Sequence, residues 1–361
     1  MNILPEHLEA IRKFGYTEAE ACFLYIVAVH SGYFTQRQFG SFIECKPGRA
    51  VHAFVERGIG KRHLKQTVFG NNRRVYQLSY KPIYEAIQKE NIRNRREHSV
   101  EFIETRLAIL DFVLGHLDCE YLEGEQDKVR YFEENLNIER KRMPGRTYEG
   151  SNLSPFTVRY FVDKFPMFLE RRSDSQQPVI TFTYIDPGFE SLKGFRRHLE
   201  AYSAFFRHLP CFAFIYACPF IRTFDVTEKA FGDVIGAPAH LQPSQALRYF
   251  QIRSAREAKQ YQLLTNDDLI FFNHARITFA GAAFESLYAN WIGGAIAGEQ
   301  FTLALGTLLG QERDVQFNTY KLPYDYSGFD HNSRIGGKPN GKRVSLRFYE
   351  RFSAQEVLKS E

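Results

Sequence analysis

The feature that most constrains this chain is the order of helix and strand signals between Thr17 and Tyr80. Thr17 and Glu20 have the Thr-x-x-Glu spacing that satisfies free amides at a helix start. Phe23, Leu24, Ile26 and Val27 then recur at helical spacing, which predicts a helix from Thr17 to about His30, stopped by Gly32. Thr35 and Gln38 repeat the cap and open a short helix to Ile43 carrying Phe39 and Phe42. The turn Cys45-Lys46-Pro47-Gly48 separates it from a third helix, 48–57, with Val51, Phe54 and Val55 facing inward. Two strand-like runs, 62–68 and 74–79, flank Phe69-Gly70-Asn71-Asn72-Arg73, a hairpin tip rich in Asn and Gly.

The charge in this stretch is one-sided. Lys46, Arg49, Arg57, Lys61, Arg62, Lys65, Arg73 and Arg74 are opposed only by Glu56 between Lys46 and Arg74. Such an excess gives salt-dependent affinity for phosphates. Helix, helix, helix and hairpin with basic residues on the third helix resembles the winged helix-turn-helix domains of bacterial transcription factors and plasmid replication proteins. The resemblance covers about the first 80 residues and implies that the third helix reads the major groove while the hairpin, or wing, grips the flanking backbone. The implied contacts are Lys46, Arg49, His52, Arg57, Lys61, Arg62, Lys65, Asn72, Arg73 and Arg74. The bland alternative is a protein-binding winged helix whose basic surface is merely solvated.

From Ile83 to His116 there is no Pro, and no Gly before Gly115. The apolar spacing predicts one long helix, or two with a break near Asn94. A self-pairing helix here would suit a homodimer on a palindromic site; the alternative is that its apolar second half packs onto the C-terminal domain. Arg93, Arg95 and Arg96 form a secondary basic segment. Glu125–Asn135 is expected as a short helix, and Arg140 to Arg146 as a basic loop.

Beyond residue 155 the signals read strand (Val158–Val162 and Phe165–Leu169), strand (Pro178–Ile185), helix (Leu192 to about Arg207), strand (Cys211–Ala217), helix (Val226–Val234). This order resembles the restriction-endonuclease-like fold. A winged helix joined to such a core is similar to the replication-relaxation proteins of plasmids and other mobile elements, whose nuclease-like core usually lacks full catalytic machinery. The resemblance implies an Asp before one strand, where Asp163 stands, and an acid-x-Lys triplet on the next. That strand instead reads Thr181-Phe182-Thr183, which implies a disarmed core. A metal-dependent nuclease would need Asp163 with Asp186 or Glu190, supported by Lys193.

The remainder predicts helices over 241–274, Trp291 as a core anchor, and strands at Val315–Lys321 and Val344–Tyr349. The loop Gly336–Arg343, with Lys338, Lys342 and Arg343, fails the phosphate-loop pattern and leaves a second wing as its functional alternative. Five scattered Cys without a CxxC pair argue against a disulfide framework or structural zinc. Neither a signal-peptide pattern nor an uninterrupted membrane span is visible, so the expectation is a cytoplasmic protein with no membrane partner.

The fold class expected is α+β and multidomain. It comprises a winged helix (1–81), a helical connector that would dimerise (82–155), an α/β nuclease-like core (156–238) and a C-terminal α+β region (239–361). The expected function is sequence-specific binding of double-stranded DNA as a transcriptional regulator, with no catalytic residue, cofactor or metal. A protein or small-molecule effector is left open. The alternatives are a mobile-element replication accessory, a nuclease and an architectural module.

Overall fold

Two capping boxes set the first helices where the sequence places them. The computed structural model describes residues 1, 3–46, 48–151, 154–163, 165–171, 178–189, 191–235, 243–279, 282–296, 298–309 and 314–328. After α1 (Pro5–Arg12), α2 (Glu18–Ile26) begins where Thr17 Oγ1 accepts the Glu20 amide and Glu20 Oε2 accepts the Thr17 amide. β1 (Tyr33–Phe34) precedes α3 (Gln36–Phe42), which Thr35 and Gln38 cap in the same reciprocal way. α4 (Arg49–Gly60) comes next, then β2 (Leu64–Phe69) and β3 (Arg73–Leu78). The three strands form one antiparallel sheet in the order β1-β3-β2. Phe23, Phe34, Phe39 and Phe54 fill the space between sheet and helices, with Phe39 and Phe54 ring centroids 4.0 Å apart. Strand β2 runs on to Phe69, which is buried, so the expected tip of Phe69 to Arg73 shrinks to the turn Gly70–Asn72.

The connector is two helices, the second of the two sequence readings. α5 (Lys81–Ala86) and α6 (Val100–Leu114) are separated by an irregular crossing that contains Asn94. The reason lies in α2, which ends in a π turn, Val27–Ser31, closed by Gly32 at φ +83°. A π turn leaves carbonyls short of their ordinary helical partners. Asn94 Nδ2 donates to the Ala28 and Val29 carbonyls at 2.9 Å each, and Asn94 Oδ1 accepts from Arg106 Nη2 at 2.6 Å. Gly32 is required twice over, by its φ and because a Cβ there would collide with the Asn94 carbonyl oxygen. Ser31 Oγ donates to the Arg106 carbonyl at 2.9 Å.

Helix α6 is buried on most of its faces. It touches the π turn, β1 and α3 on one side. On another it packs on a five-stranded sheet, through Phe112 against Phe168 and Tyr320. The sheet order is β10-β9-β8-β7-β4, with β4 at Glu120–Tyr121, β7 at Met167–Glu170, β8 at Val179–Ile185, β9 at Cys211–Cys218 and β10 at Asp314–Lys321. β4, β7 and β8 are antiparallel neighbours, and β8 and β9 are parallel. The crossover between β8 and β9 is α8 (Leu192–Phe206), which lies on the face opposite α6 and packs Phe195 on Tyr184 and Tyr216. Between β4 and β7 run α7 (Glu125–Arg130), continued by a π turn to Asn135, and a separate hairpin of β5 (Gly145–Ser151) and β6 (Ser154–Tyr160). That hairpin takes in only the last two residues of the expected basic loop, Gly145 and Arg146, and its second strand starts at Ser154 rather than at Val158. α9 (Phe224–Ile235) comes after β9.

These elements, apart from the strand ends of β9 and β10, belong to one compact unit: Met1–His208, Ala213–Val234 and the described part of Phe317–Glu361. The other unit, Leu209–Phe212 with Ile235–Gln316, contains α10 (Pro243–Glu257), α11 (Asn266–Thr278), α12 (Ala282–Ile292) and α13 (Gly298–Leu309). Its core is Tyr249, Phe250, Phe279, Leu287, Tyr288 and Phe301, against which Trp291 packs as expected. The architecture is mixed α+β, with N-terminal helices, a helical connector and a β-sheet core. No helix among the described residues is long and apolar enough to cross a membrane.

Asn94→Ala removes the bonds to Ala28, Val29 and Arg106, and leaves Arg106 with its bond from Nε to the Ser31 carbonyl. Chemical denaturation should therefore show a loss of roughly 1–3 kcal/mol. His30 sits in the π turn against Tyr121; burial, helped by Arg106, Lys128 and Lys89, pushes its pKa from 6.5 down to about 3. The unfolded chain therefore binds one more proton than the folded chain across that window. Stability should fall on acidification below pH 6.5 by up to roughly 1.4 kcal/mol per pH unit from this group. His30→Leu should flatten that slope in pH-dependent unfolding.

Candidate nucleic-acid interface

Burial on α4 recurs at Val51, Phe54, Val55 and Gly58, the spacing of one helical face. The opposite stripe is Arg49, His52, Ala53 and Glu56, all exposed. Lys46, just before the helix, is also exposed. Among the described residues no intramolecular ion pair holds Lys46, Arg49 or His52. The helix starts at Gly48, which has no side chain to occupy the first amides, so its N-terminal N–H groups add to the positive field of Lys46 and Arg49. Ala53 was not singled out in the sequence; the i, i+3, i+4, i+7 stripe that contains it is the signal that finds it, and its small side chain leaves the face flat.

The hairpin divides its basic residues between two faces. Lys65 pairs with Gln77 and Arg74 with Val68, which puts Lys65 and Arg74 on opposite sides of the ribbon. Arg74 shares its side with Tyr76 and Leu78, the residues that face the helices, and is exposed at the edge of that side with a hydrogen bond to the Tyr76 hydroxyl. The other side is covered by the connector, where Gln77 Nε2 donates to the Arg95 and Arg96 carbonyls at 2.9 and 2.6 Å. Lys65 there pairs with Glu97 at 3.1 Å. Arg73 is half-buried beside Gly328. Asn72, at φ +55°, is exposed at the tip, and Arg62, at φ +58°, is exposed in the turn between α4 and β2.

Arg57 and Lys61 are engaged within the fold. Arg57 grips the α2 cap residue Glu20 through two hydrogen bonds of 2.8 and 2.9 Å and lies over the Tyr16 ring. Lys61 Nζ donates to the Phe14 carbonyl at 2.5 Å. Arg96 is exposed and Arg95 half-buried, whereas Lys338, Lys342 and Arg343, with the expected strand 344–349, lie outside the described residues. The exposed cations that the fold leaves on the α4 side are therefore Lys46, Arg49, Arg62 and Arg74, with His52.

The carboxylates weighed for nuclease chemistry are tied to structure. Asp163 Oδ1 accepts the Phe165 amide at 3.1 Å, while Oδ2 accepts from the Tyr202 hydroxyl and lies 3.5 Å from His198 Nδ1. Burial outweighs Asp163 and pushes the His198 pKa down from its ordinary value. Lys128 Nζ donates to the Phe165 carbonyl at 3.0 Å, and burial lowers its pKa to about 8. Asp186 holds the turn after β8: Oδ1 accepts the Gly188 and Phe189 amides at 2.9 and 2.7 Å, and Oδ2 accepts from Tyr216 at 3.0 Å. Thr181 and Thr183, at the acid-x-Lys positions, are buried in the sheet. Glu190 lies outside the described residues. Among the described residues no three His, Cys, Asp or Glu side chains are grouped to hold a metal ion.

No family model, curated protein or solved structure matches the chain.

Arg57→Ala should lower the midpoint of thermal unfolding, because it leaves the buried Glu20 carboxylate with the Thr17 amide but without its counter-charge. If the protein binds DNA, affinity per folded molecule should remain within about twofold of wild type, since Arg57 is already occupied. A selective affinity loss without destabilisation would show the opposite.

Proposed function

We propose that this chain binds double-stranded DNA in a sequence-specific manner through a winged helix-turn-helix built from α2, β1, α3, α4, β2 and β3, and acts as a transcriptional regulator. The observation that carries the reading is the exposed α4 stripe of Arg49, His52 and Ala53, preceded by Lys46 and an uncapped helix start. It lies on the same side of the β2–β3 hairpin as Arg74. A helix fits the major groove, arginine donates a bidentate pair to guanine, and helix-start amides hold phosphates. The order helix, strand, helix, helix, hairpin and the sheet order β1-β3-β2 support the winged-helix assignment.

The succession α6, β4, β7, β8, α8, β9, with three antiparallel strands and then a parallel one, supports a restriction-endonuclease-like core. Thr181 and Thr183 in place of acid and lysine favour recognition or assembly, including homodimer formation, as the role of that core. α6 itself is enclosed within the chain, so a dimer would use another surface.

A regulator should prefer its own promoter region over random duplex by at least about a thousandfold at physiological salt. Arg49→Ala should cost about 1–3 kcal/mol and relax selectivity; Arg74→Ala should weaken binding to all sequences and reduce the salt slope by about one. Uniform weak binding, or affinity unchanged in both variants, would remove α4 and the wing as the reader.

A further inference from the structure

After β10, residues 322–328 cross the carboxyl ends of β9 and β8. The Leu322 amide donates to the Cys218 carbonyl at 3.0 Å, and the Tyr326 amide to the Pro187 carbonyl at 3.2 Å. Gly188 permits the close approach: it sits at φ +119°, and a Cβ there would stand 2.6 Å from Asp325 Oδ1 and 3.2 Å from Ser327. Within 322–328 only Leu322 and Tyr326 are buried, each 1% exposed, and the other residues face water. A segment held by two side chains and a few backbone bonds opens at lower cost than the sheet beneath it.

Tyr326 reaches past the sheet into the contact between α3 and α6. Its hydroxyl accepts from Arg37 Nη2 at 2.5 Å and donates to Asp111 Oδ2 at 2.8 Å. Arg37, on α3, also donates to both Asp111 oxygens at 2.8 and 2.6 Å, and its guanidinium lies 4.8 Å from the centre of the Tyr324 ring. Gln38 beside it donates to Asp111 Oδ1 at 2.9 Å and to the Leu107 carbonyl at 2.8 Å. Apart from that last bond, these polar contacts of α3 with α6 meet at one buried carboxylate, and the 322–328 segment supplies one of its donors. If the segment lifts, Asp111 loses the Tyr326 hydroxyl and Arg37 loses both the hydroxyl and the aromatic cover of Tyr324. A buried charge that is short of partners is costly, so lifting the segment weakens the seat of α3 while the bonds inside the sheet stay in place.

We propose that residues 322–328 are a latch: they open ahead of the sheet, and opening them loosens α3, the helix that leads into α4, from its seat on α6. The latch goes beyond the DNA-binding reading and does not rest on it. The test is hydrogen exchange of the full chain, read by mass spectrometry, in wild type, Tyr326→Phe and Gly188→Ala. In wild type the latch amides should exchange faster than those of β8 and β9. Tyr326→Phe keeps the ring and removes the hydroxyl; exchange in the latch and in α3 should each speed up by about tenfold, with β7 and α8 at wild-type rates. Gly188→Ala crowds Asp325 and Ser327 from the turn after β8, and should speed the latch and α3 together. A wild-type latch as protected as β8 overturns the proposal. Faster exchange in the latch with α3 unchanged, in either variant, overturns the coupling. An equal rise across β7 and α8 marks a global loss of stability and overturns it as well. A latch that responds to neither variant is held by something other than Tyr326 and the Gly188 turn, which sinks the idea.

Discussion

The first unit depends on one buried polar insertion. Asn94 enters the π turn that ends α2, satisfies two carbonyls the turn leaves over, and holds the guanidinium of Arg106 from α6. A buried cation with its hydrogen bonds in place specifies one arrangement, because any shift exposes an unpaired charge to a low-dielectric interior. The same network brings Ser31 and Gly32 against α6, so the N-terminal helices, the connector and the five-stranded sheet share a single central helix. A second buried charge on α6 repeats the device. Asp111 accepts from Arg37 and Gln38 of the α3 region and from Tyr326, near the end of the described chain.

That rigidity decides which cations face outward. Arg57 and Lys61 are used up in fastening α4 to α1 and α2, Lys65 meets Glu97, and Arg73 is half-buried. The basic run from Lys46 to Arg74 therefore does not form a uniform footprint. It separates into residues that hold the small domain together and a smaller set, Lys46, Arg49, Arg62 and Arg74, that the fold leaves in water. Covering one face of the β1-β3-β2 sheet with the connector backbone also assigns a side to the hairpin, since only the Arg74 side continues toward α4.

The helices were legible wherever a cap and an apolar period agreed. Thr17 with Glu20 and Thr35 with Gln38 each start a helix at the place their spacing indicates. The buried strands β8 and β9 were legible from continuous apolar runs. The β5 strand was not: Gly145-Arg146-Thr147-Tyr148-Glu149-Gly150-Ser151 lacks an apolar alternation, and its pairing with β6 comes from the chain returning on itself rather than from side-chain pattern. Among the candidate contacts, Arg49 and His52 came from helical spacing. The loss of Arg57 to Glu20 did not, because the two are 37 positions apart in sequence and only folding brings them together.

By itself the sequence determined the three helices and the hairpin in residues 17–80 (though not the short strand β1 between the first two helices), the excess of positive charge there, and the absence of an acid-x-Lys triplet at 181–183, since these rest on local spacing and residue chemistry. Only the tertiary structure decided that the connector breaks at Asn94, that α6 is enclosed rather than free to pair with itself, that Asp163 and Asp186 are bound to Tyr202 and Tyr216, and which arginines reach solvent. Those outcomes depend on contacts between residues far apart in the chain, where the cost of an unpaired buried group outweighs any local preference.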